Sequence, residues 1–321
     1  MAVDDGGPPI APACVDLGQG VLAIDTAMGG FPGITAGYLV AGSRPCLVET
    51  GTALSAPTVE AALHGAGLGP RDLATIVVTH IHLDHAGGVG DLARAFPAAE
   101  VVVHEAGARH LVDPSRLLRS AAMVFGPDLD ALFGPMLPVP AERVRSLGET
   151  GEIDLGDGRV LAAHHSPGHA RHHIGLVDSA TGDLYVGDAA GVYIPEADLL
   201  VPGTPPPDFD LELALASLRR FAAASPTRLL FSHFGPVTRV QETLEDSAAQ
   251  LHRWVEVVGS ARADGLDLDH TVARVRQQIP DRFAPLLAMP GVAEKFERLS
   301  PTAASVSGIL HWLAREEAAA G

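Results

Sequence analysis

Thr79-His80-Ile81-His82-Leu83-Asp84-His85-Ala86-Gly87-Gly88 is the stretch that decides how this chain is read. Three histidines and an aspartate fall within six positions. They follow Ala74-Thr75-Ile76-Val77-Val78, a short apolar run of the kind that forms a strand buried on both faces. Burial fixes such a strand, so residues just beyond its end stand on a rigid base. In extended backbone the side-chain period is two, so His80 and His82 point to one side and both imidazoles can reach one cation. The chain must turn after Leu83, which lets Asp84 and His85 face a second cation nearby. Gly87-Gly88 allows a tight return with no Cβ in the way. Crowding these groups at a strand end carries a desolvation cost unless a cation joins them.

Three later segments repeat the setting. His165-Ser166-Pro167-Gly168-His169 places a histidine after a strand and a Pro-Gly turn, Val186-Gly187-Asp188 ends a strand on a carboxylate, and Phe231-Ser232-His233-Phe234-Gly235 ends one on a histidine. Each is a weak signal alone; together they add three metal ligands. Imidazole and carboxylate donors suit zinc, and also iron or manganese. Two such cations can hold a bridging hydroxide, which attacks an electrophilic carbonyl or phosphorus while the second metal polarises the oxygen under attack. Asp84 is the candidate catalytic residue, orienting that nucleophile.

Around these segments the chain reads as alternating strands and helices. Strands are expected at Val21–Ile24, Tyr38–Val40 and Cys46–Val48, the last two paired across Gly42-Ser43-Arg44-Pro45. Further strands lie at 101–103, near Val144, and at 160–162, 174–177, 184–186 and 229–231, with a hairpin turn at Ala180–Asp183. Helices are expected at 56–66, 89–96 and 211–224. Residues 105–140 form an apolar, arginine-bearing insertion with the character of a lid, and a proline-rich loop follows Asp188. From about residue 238 strand signals vanish and helical periodicity covers 238–263, 268–278 and 305–317. The expected organisation is therefore a catalytic domain over 1–237 and a helical C-terminal extension over 238–321 packed on it. Those helices either complete the pocket or mediate a homodimer.

Composition narrows the partners. The formal charge is −17 and the single lysine is Lys295, so no basic stripe is present to hold a nucleic acid. Cys14 and Cys46 cannot make a disulfide framework. The N-terminus, Met1 to Gly7, has no basic and apolar export pattern, and no run approaches the ~20 apolar residues of a membrane span. The expectation is a cytoplasmic protein acting on a small molecule, without membrane or nucleic-acid partners.

The H-x-H-x-D-H segment at 80–85, with His169, Gly187-Asp188 and His233, resembles the metallo-β-lactamase fold superfamily over roughly residues 15–240. The resemblance implies an α/β fold, a four-layer αββα sandwich with two metals at the edge of the sheets. It also implies that His80, His82 and His169 hold one metal, Asp84, His85 and His233 the other, and that Asp188 bridges them. Members of the superfamily often carry Asp-Thr-Gly where this chain has Glu49-Thr50-Gly51, so Glu49 is a candidate outer-shell group toward a ligand imidazole. His173 is a second such candidate, with His165 and His172 beside it. Tyr193, in the loop after Asp188, is a candidate donor to a substrate oxygen, at a longer spacing than lactonases of this fold use. The remaining histidines (64, 104, 110, 164, 252, 270 and 311) read as structural or surface residues.

Asp188 and the missing export pattern argue against antibiotic hydrolysis, His82 against flavodiiron oxidoreductases, and the charge against nucleases. The reading is a dinuclear metallo-hydrolase of an ester-like bond: carboxylic ester, lactone, thioester or phosphoester. Its alternatives are a mononuclear iron persulfide dioxygenase-like enzyme and a non-catalytic metal-binding protein.

Overall fold

Apolar and β-branched runs build two sheets that meet through their side chains. The computed structural model describes residues 13–299 and 301–320, so the Met1–Gly7 segment lies outside the described residues. The first sheet holds β1 (Cys14–Asp16), β2 (Val21–Asp25), β3 (Ala36–Val40), β4 (Cys46–Val48), β5 (Thr75–Val77), β6 (Glu100–His104) and β7 (Val144–Leu147), in that spatial order. Strands β1 to β4 pair antiparallel, as the short turn at 42–45 requires, and β4 to β7 pair parallel. Parallel pairing needs crossovers. These are α1 (Ala56–Gly65), then α2 (Leu83–Ala86) with α3 (Val89–Ala95), then the insertion helices α4 (Glu105–Val112), α5 (Ser115–Phe125) and α6 (Leu129–Phe133). All three residues of β5 are buried.

The second sheet starts as a meander of β8 (Thr150–Asp154), β9 (Val160–His165), β10 (Ile174–Asp178) and β11 (Asp183–Gly187). A separate hairpin, β12 (Val192–Ile194) with β13 (Leu199–Val201), leaves it. Helix α7 (Leu211–Ala223) then returns the chain to β14 (Arg228–Phe231), parallel to β11, and β15 (Gly235–Val237) forms the edge. The N-cap of α7 is Asp210, whose carboxylate accepts from Leu213 N at 3.1 Å.

The sheets face each other across Val48, Val77, Ile174 and Leu230, with Tyr38 and Tyr185 set edge to face at 5.4 Å. Outside the first sheet, Leu47, Ile76 and Val101 pack on Val59, Leu63, Leu92 and Phe96. Outside the second, Leu184, Val186 and Leu229 pack on Leu218, Phe221, Trp254 and Ile309. The result is the expected four-layer αββα sandwich with a helical C-terminal region.

That region is α8 (Val240–Ala263), α9 (Leu268–Gln278), α10 (Pro280–Leu287), α11 (Pro290–Leu299) and α12 (Thr302–Ala320). Helices α10 and α11 depart from the sequence expectation. No helix is expected between 278 and 305, yet Pro280 opens α10, at a position where a missing N–H costs nothing, and Pro290 opens α11. These two helices also cross to the other side of the sandwich. Leu286 and Phe296 join Met28, Ile34, Val192 and Ile194 in the first core, and Lys295 Nζ donates to Glu196 and to the Pro32 carbonyl. The C-terminal helices therefore touch both outer cores.

Trp254 is fully buried among them. We expect Trp254→Ala to cost about 3–5 kcal/mol and to lower a single cooperative transition in denaturant unfolding; two separated transitions would show that the helices unfold on their own.

Candidate metal centre

Parallel strands deliver their C-terminal ends to one edge. The chain leaves β4 into Glu49, β5 into His80, β11 into Asp188 and β14 into His233, while His169 sits in the connection from β9 to β10. His82 caps the short helix α2, which turns Asp84 and His85 back toward the same edge. The turn packs on the loop after β4: a Cβ on Gly88 would lie 2.9 Å from the Thr52 carbonyl, so glycine is required there. Gly187 meets a stricter constraint. Its φ is +53°, and a Cβ would lie 2.3 Å from His173 Nε2 and 2.5 Å from Thr79 Oγ1.

Two donor groups result. In the first, His82 Nδ1 lies 3.0 Å from both His80 Nε2 and His169 Nε2, and the three ring centroids are 4.6–4.8 Å apart. In the second, Asp84 Oδ2 lies 3.2 Å from His233 Nε2 and 3.4 Å from His85 Nε2. Asp188 stands between them, its Oδ2 3.6 Å from His169 Nε2 and 3.5 Å from His233 Nε2, its Oδ1 3.5 Å from His85 Nε2. All seven candidate ligands named from the sequence thus meet in one place.

The outer atoms of the rings are committed elsewhere. His169 Nδ1 donates to the Gly203 carbonyl at 2.9 Å and His233 Nδ1 to the Ile34 carbonyl at 3.0 Å, which leaves each Nε2 lone pair aimed inward. His80 Nδ1 meets Thr79 Oγ1 at 3.0 Å. One proton on His82 Nδ1 cannot serve both of its nitrogen neighbours. His85 Nε2 and Asp188 Oδ1 are buried with no hydrogen-bond partner, a costly state for polar atoms. A divalent cation in each group removes both conflicts, and an N3 set beside an N2O set with a shared carboxylate suits zinc, iron or manganese.

Electrostatics separate the two groups. Burial pushes His80, His82 and His169 toward the neutral form, His82 down to about 4, with neighbouring imidazoles adding to the effect. Burial opposes charge at His85 and His233 too, but Asp188 and Asp84 outweigh it, holding His85 well above the usual range and His233 at about 9. Those imidazoles in turn keep Asp84 and Asp188 ionised against the cost of burial.

The candidate outer-shell residues differ. Glu49 sits in the left-handed region at φ +67°, a strained conformation for this side chain. Its Oε1 accepts from Thr79 N at 3.0 Å and from Ser232 Oγ at 3.4 Å, the residues just before His80 and His233, and its Oε2 faces His85 Nδ1 at 3.6 Å. The longer side chain thus spans both strand ends. His173 Nε2 accepts from Asp188 N at 3.1 Å, so its Nδ1 carries the proton and donates to Ser166 Oγ at 2.8 Å. Tyr193 departs from expectation: its hydroxyl donates to Asp198 at 2.8 Å on the β12–β13 hairpin, and it is not among the residues lining the cavity. The Gly203 and Ile34 carbonyls carried no signal in the sequence, because any residue can present one.

A cavity of about 490 Å³ opens on Asp84, His82, His169, Asp188 and His233. Its walls are α4 and α5 of the 105–140 insertion, the proline-rich loop 205–207, and Pro301, Ala304 and Ser305 from the start of α12. Helix α5 has no buried residue, and Met123 and Val124 stand open to solvent. Among the described residues no helix is long and apolar enough to cross a membrane.

A model of the metallo-beta-lactamase superfamily matches residues 30–233, and the chain belongs to that superfamily. It is 33% identical over 168 residues to a metallo-beta-lactamase fold-containing protein of Sulfurisphaera tokodaii, covering 51% of this chain and 61% of that one. It is 31% identical over 194 residues to the hydroxyacylglutathione hydrolase of Vibrio parahaemolyticus, covering 60% of each. It is 35% identical over 130 residues to an acyl-coenzyme A thioesterase of Gallus gallus, covering 38% of this chain and 43% of that one. The chain thus spans about 60% of the length of the first two relatives and less of the third. The solved structure of an archaeal superfamily protein from Sulfolobus tokodaii superposes with a TM-score of 0.62 at 28% identity, over 73% of this chain and 86% of that one.

The charge pattern sets a pH dependence for the metal-free protein. His82 is lowered to about 4, so its contribution is present above the unfolded value near 6.5 and is lost as pH falls toward 4. His233 is raised to about 9, so its contribution is present below ~6.5 and is lost as pH rises through about 9. Thermal unfolding of chelated protein should therefore show a falling midpoint from pH 6.5 to 9. Metal should abolish that limb, because a ligating imidazole is already neutral; an identical limb in metal-loaded protein would contradict the assignment of His233.

Proposed function

We propose that the chain is a two-metal hydrolase of a small-molecule ester-like bond, with acyl thioesters as the best-supported substrate class. The observation that carries the reading is Asp188, a buried carboxylate between an all-imidazole group and a mixed one, facing both. Two divalent cations, most simply zinc, would supply an activated water and a Lewis acid at the acyl oxygen. Hydrolysis adds the water oxygen to the acyl carbon and breaks the carbon–sulfur bond, releasing a carboxylate and a thiol.

The chain's own residues serve that reaction in distinct ways. Asp84, ionised and lining the cavity, accepts a hydrogen bond from the attacking water and orients it. His173 holds the Asp188 backbone, and Glu49 ties the strand ends together while its second oxygen faces His85 Nδ1 at 3.6 Å. Ile81, Leu117, Phe125 and Phe133 give an apolar wall for the substrate. The thioester choice is supported by the relatives named hydroxyacylglutathione hydrolase and acyl-coenzyme A thioesterase, and the commitment of Tyr193 to Asp198 weighs against a lactone.

The test combines metal content with hydrolysis of thioesters, p-nitrophenyl esters, lactones and phosphodiesters. Expected are about two metals per chain, thioester turnover lost on chelation and restored by Zn²⁺ or Mn²⁺, and a loss of about 100-fold or more in a folded Asp188→Ala variant. One iron per chain with O₂ uptake would instead indicate the persulfide dioxygenase reading, and full turnover in Asp188→Ala would refute the bridge.

A further inference from the structure

The walls of the cavity carry charge that the proposed chemistry at the metals does not use. Arg109 on α4 and Arg116 on α5 both line it. The chain has 39 acidic residues against 22 basic ones, so an arginine here has carboxylates in surplus. Arg171, at the same cavity, follows that rule and is bound to Asp208. Arg109 and Arg116 do not. Among the described residues neither has a carboxylate within ion-pair distance, Arg116 makes no hydrogen bond, and Arg109 makes one, from Nε to His110 Nε2 at 3.1 Å. An imidazole nitrogen that accepts from a guanidinium is unprotonated. His110 is accordingly held below its usual range by burial, then by Arg109 and Arg116. Both arginines are exposed to solvent, and at His110 they outweigh the opposing carboxylates of Asp113 and Asp208; Leu117, Ala121 and Phe125 line the same cavity.

Guanidinium groups that line a pocket without internal partners are free to form paired hydrogen bonds with a carboxylate or phosphate. We infer that Arg109 and Arg116 form an anion subsite of the cavity, selecting thioesters whose thiol portion carries a carboxylate or a phosphate. The inference rests on the thioester reading above for the reaction, but its binding component stands apart from it. The insertion at 105–140 would then set specificity, while the strand ends hold the metals.

The experiment measures kcat/KM for an acyl-coenzyme A, an S-acylglutathione and the uncharged acyl-N-acetylcysteamine bearing the same acyl group. The enzymes compared are the metal-loaded wild type, Arg109→Gln/Arg116→Gln and Arg109→Lys/Arg116→Lys. Expected is a preference for one anionic thioester over the neutral one, expressed as a lower KM; that preference shrinks by about 10- to 100-fold in the glutamine variant and is partly kept by lysine. A preference for the coenzyme A ester identifies phosphate as the anion, and one for the glutathione ester identifies carboxylate. Calorimetry with coenzyme A and S-hexylglutathione, which are not hydrolysed, runs beside it. Binding of one of them, weakened about tenfold or more in the glutamine variant without any thioester turnover, would sink the thioester reading and leave the subsite standing. No binding of either probe, or binding and preference unaltered by the glutamine pair, would overturn the subsite.

Discussion

Three buried imidazole nitrogens, two of them pressed to 3.0 Å from the third, His82 Nδ1, set the terms for the rest of the molecule. Lone pairs brought that close repel unless a cation or proton lies between them, and burial denies the protons. Such an arrangement persists only on a frame that cannot relax. The frame is a pair of sheets whose strand ends are pinned by core burial on three sides. Glu49, Gly187 and His173 then fix how far apart those ends may sit. The same logic explains why the strain of a left-handed glutamate is tolerated: its two oxygens address three segments at once.

The fold was largely legible because its signals are local. The β-branched run Val101–Val103, the turn at Ala180–Asp183 and the periodicity of 211–224 all formed the elements their patterns favour. The places where the reading fell short share a cause. Strand β8 buries only Ile153, leaving almost no alternation to detect. The β12–β13 hairpin lies in a proline-rich stretch, and α10 begins at a proline that sequence alone presents as a breaker. Strand β1 is wholly exposed and its pairing, not its composition, makes it a strand.

The candidate centre was legible to a different depth. Residues such as His80, Asp188 and His233 stand out because their side-chain chemistry is unusual at a strand end. The groups that orient them are mostly backbone carbonyls, and a carbonyl at Gly203 or Ile34 leaves no mark in a sequence. Tyr193 shows the converse error: a reactive side chain in a suggestive loop found a nearer partner in Asp198. The arginines at 109 and 116 were hidden for a third reason, since an unpaired charge is visible only when the neighbours are known. Fold and centre therefore come from short-range pattern, whereas selectivity comes from what a pocket leaves unsatisfied.

Lys295 gives the terminal helices a property that their sequence alone does not. Its ammonium is nearly buried where α11 meets the β12–β13 hairpin, bound to Glu196 and the Pro32 carbonyl. Peeling α11 away in part would strand an ammonium in a poorly hydrated gap without its counter-ion, a worse state than either full docking or full release. The nearly buried pair thereby disfavours a partly detached α11 and ties it to the β12–β13 hairpin.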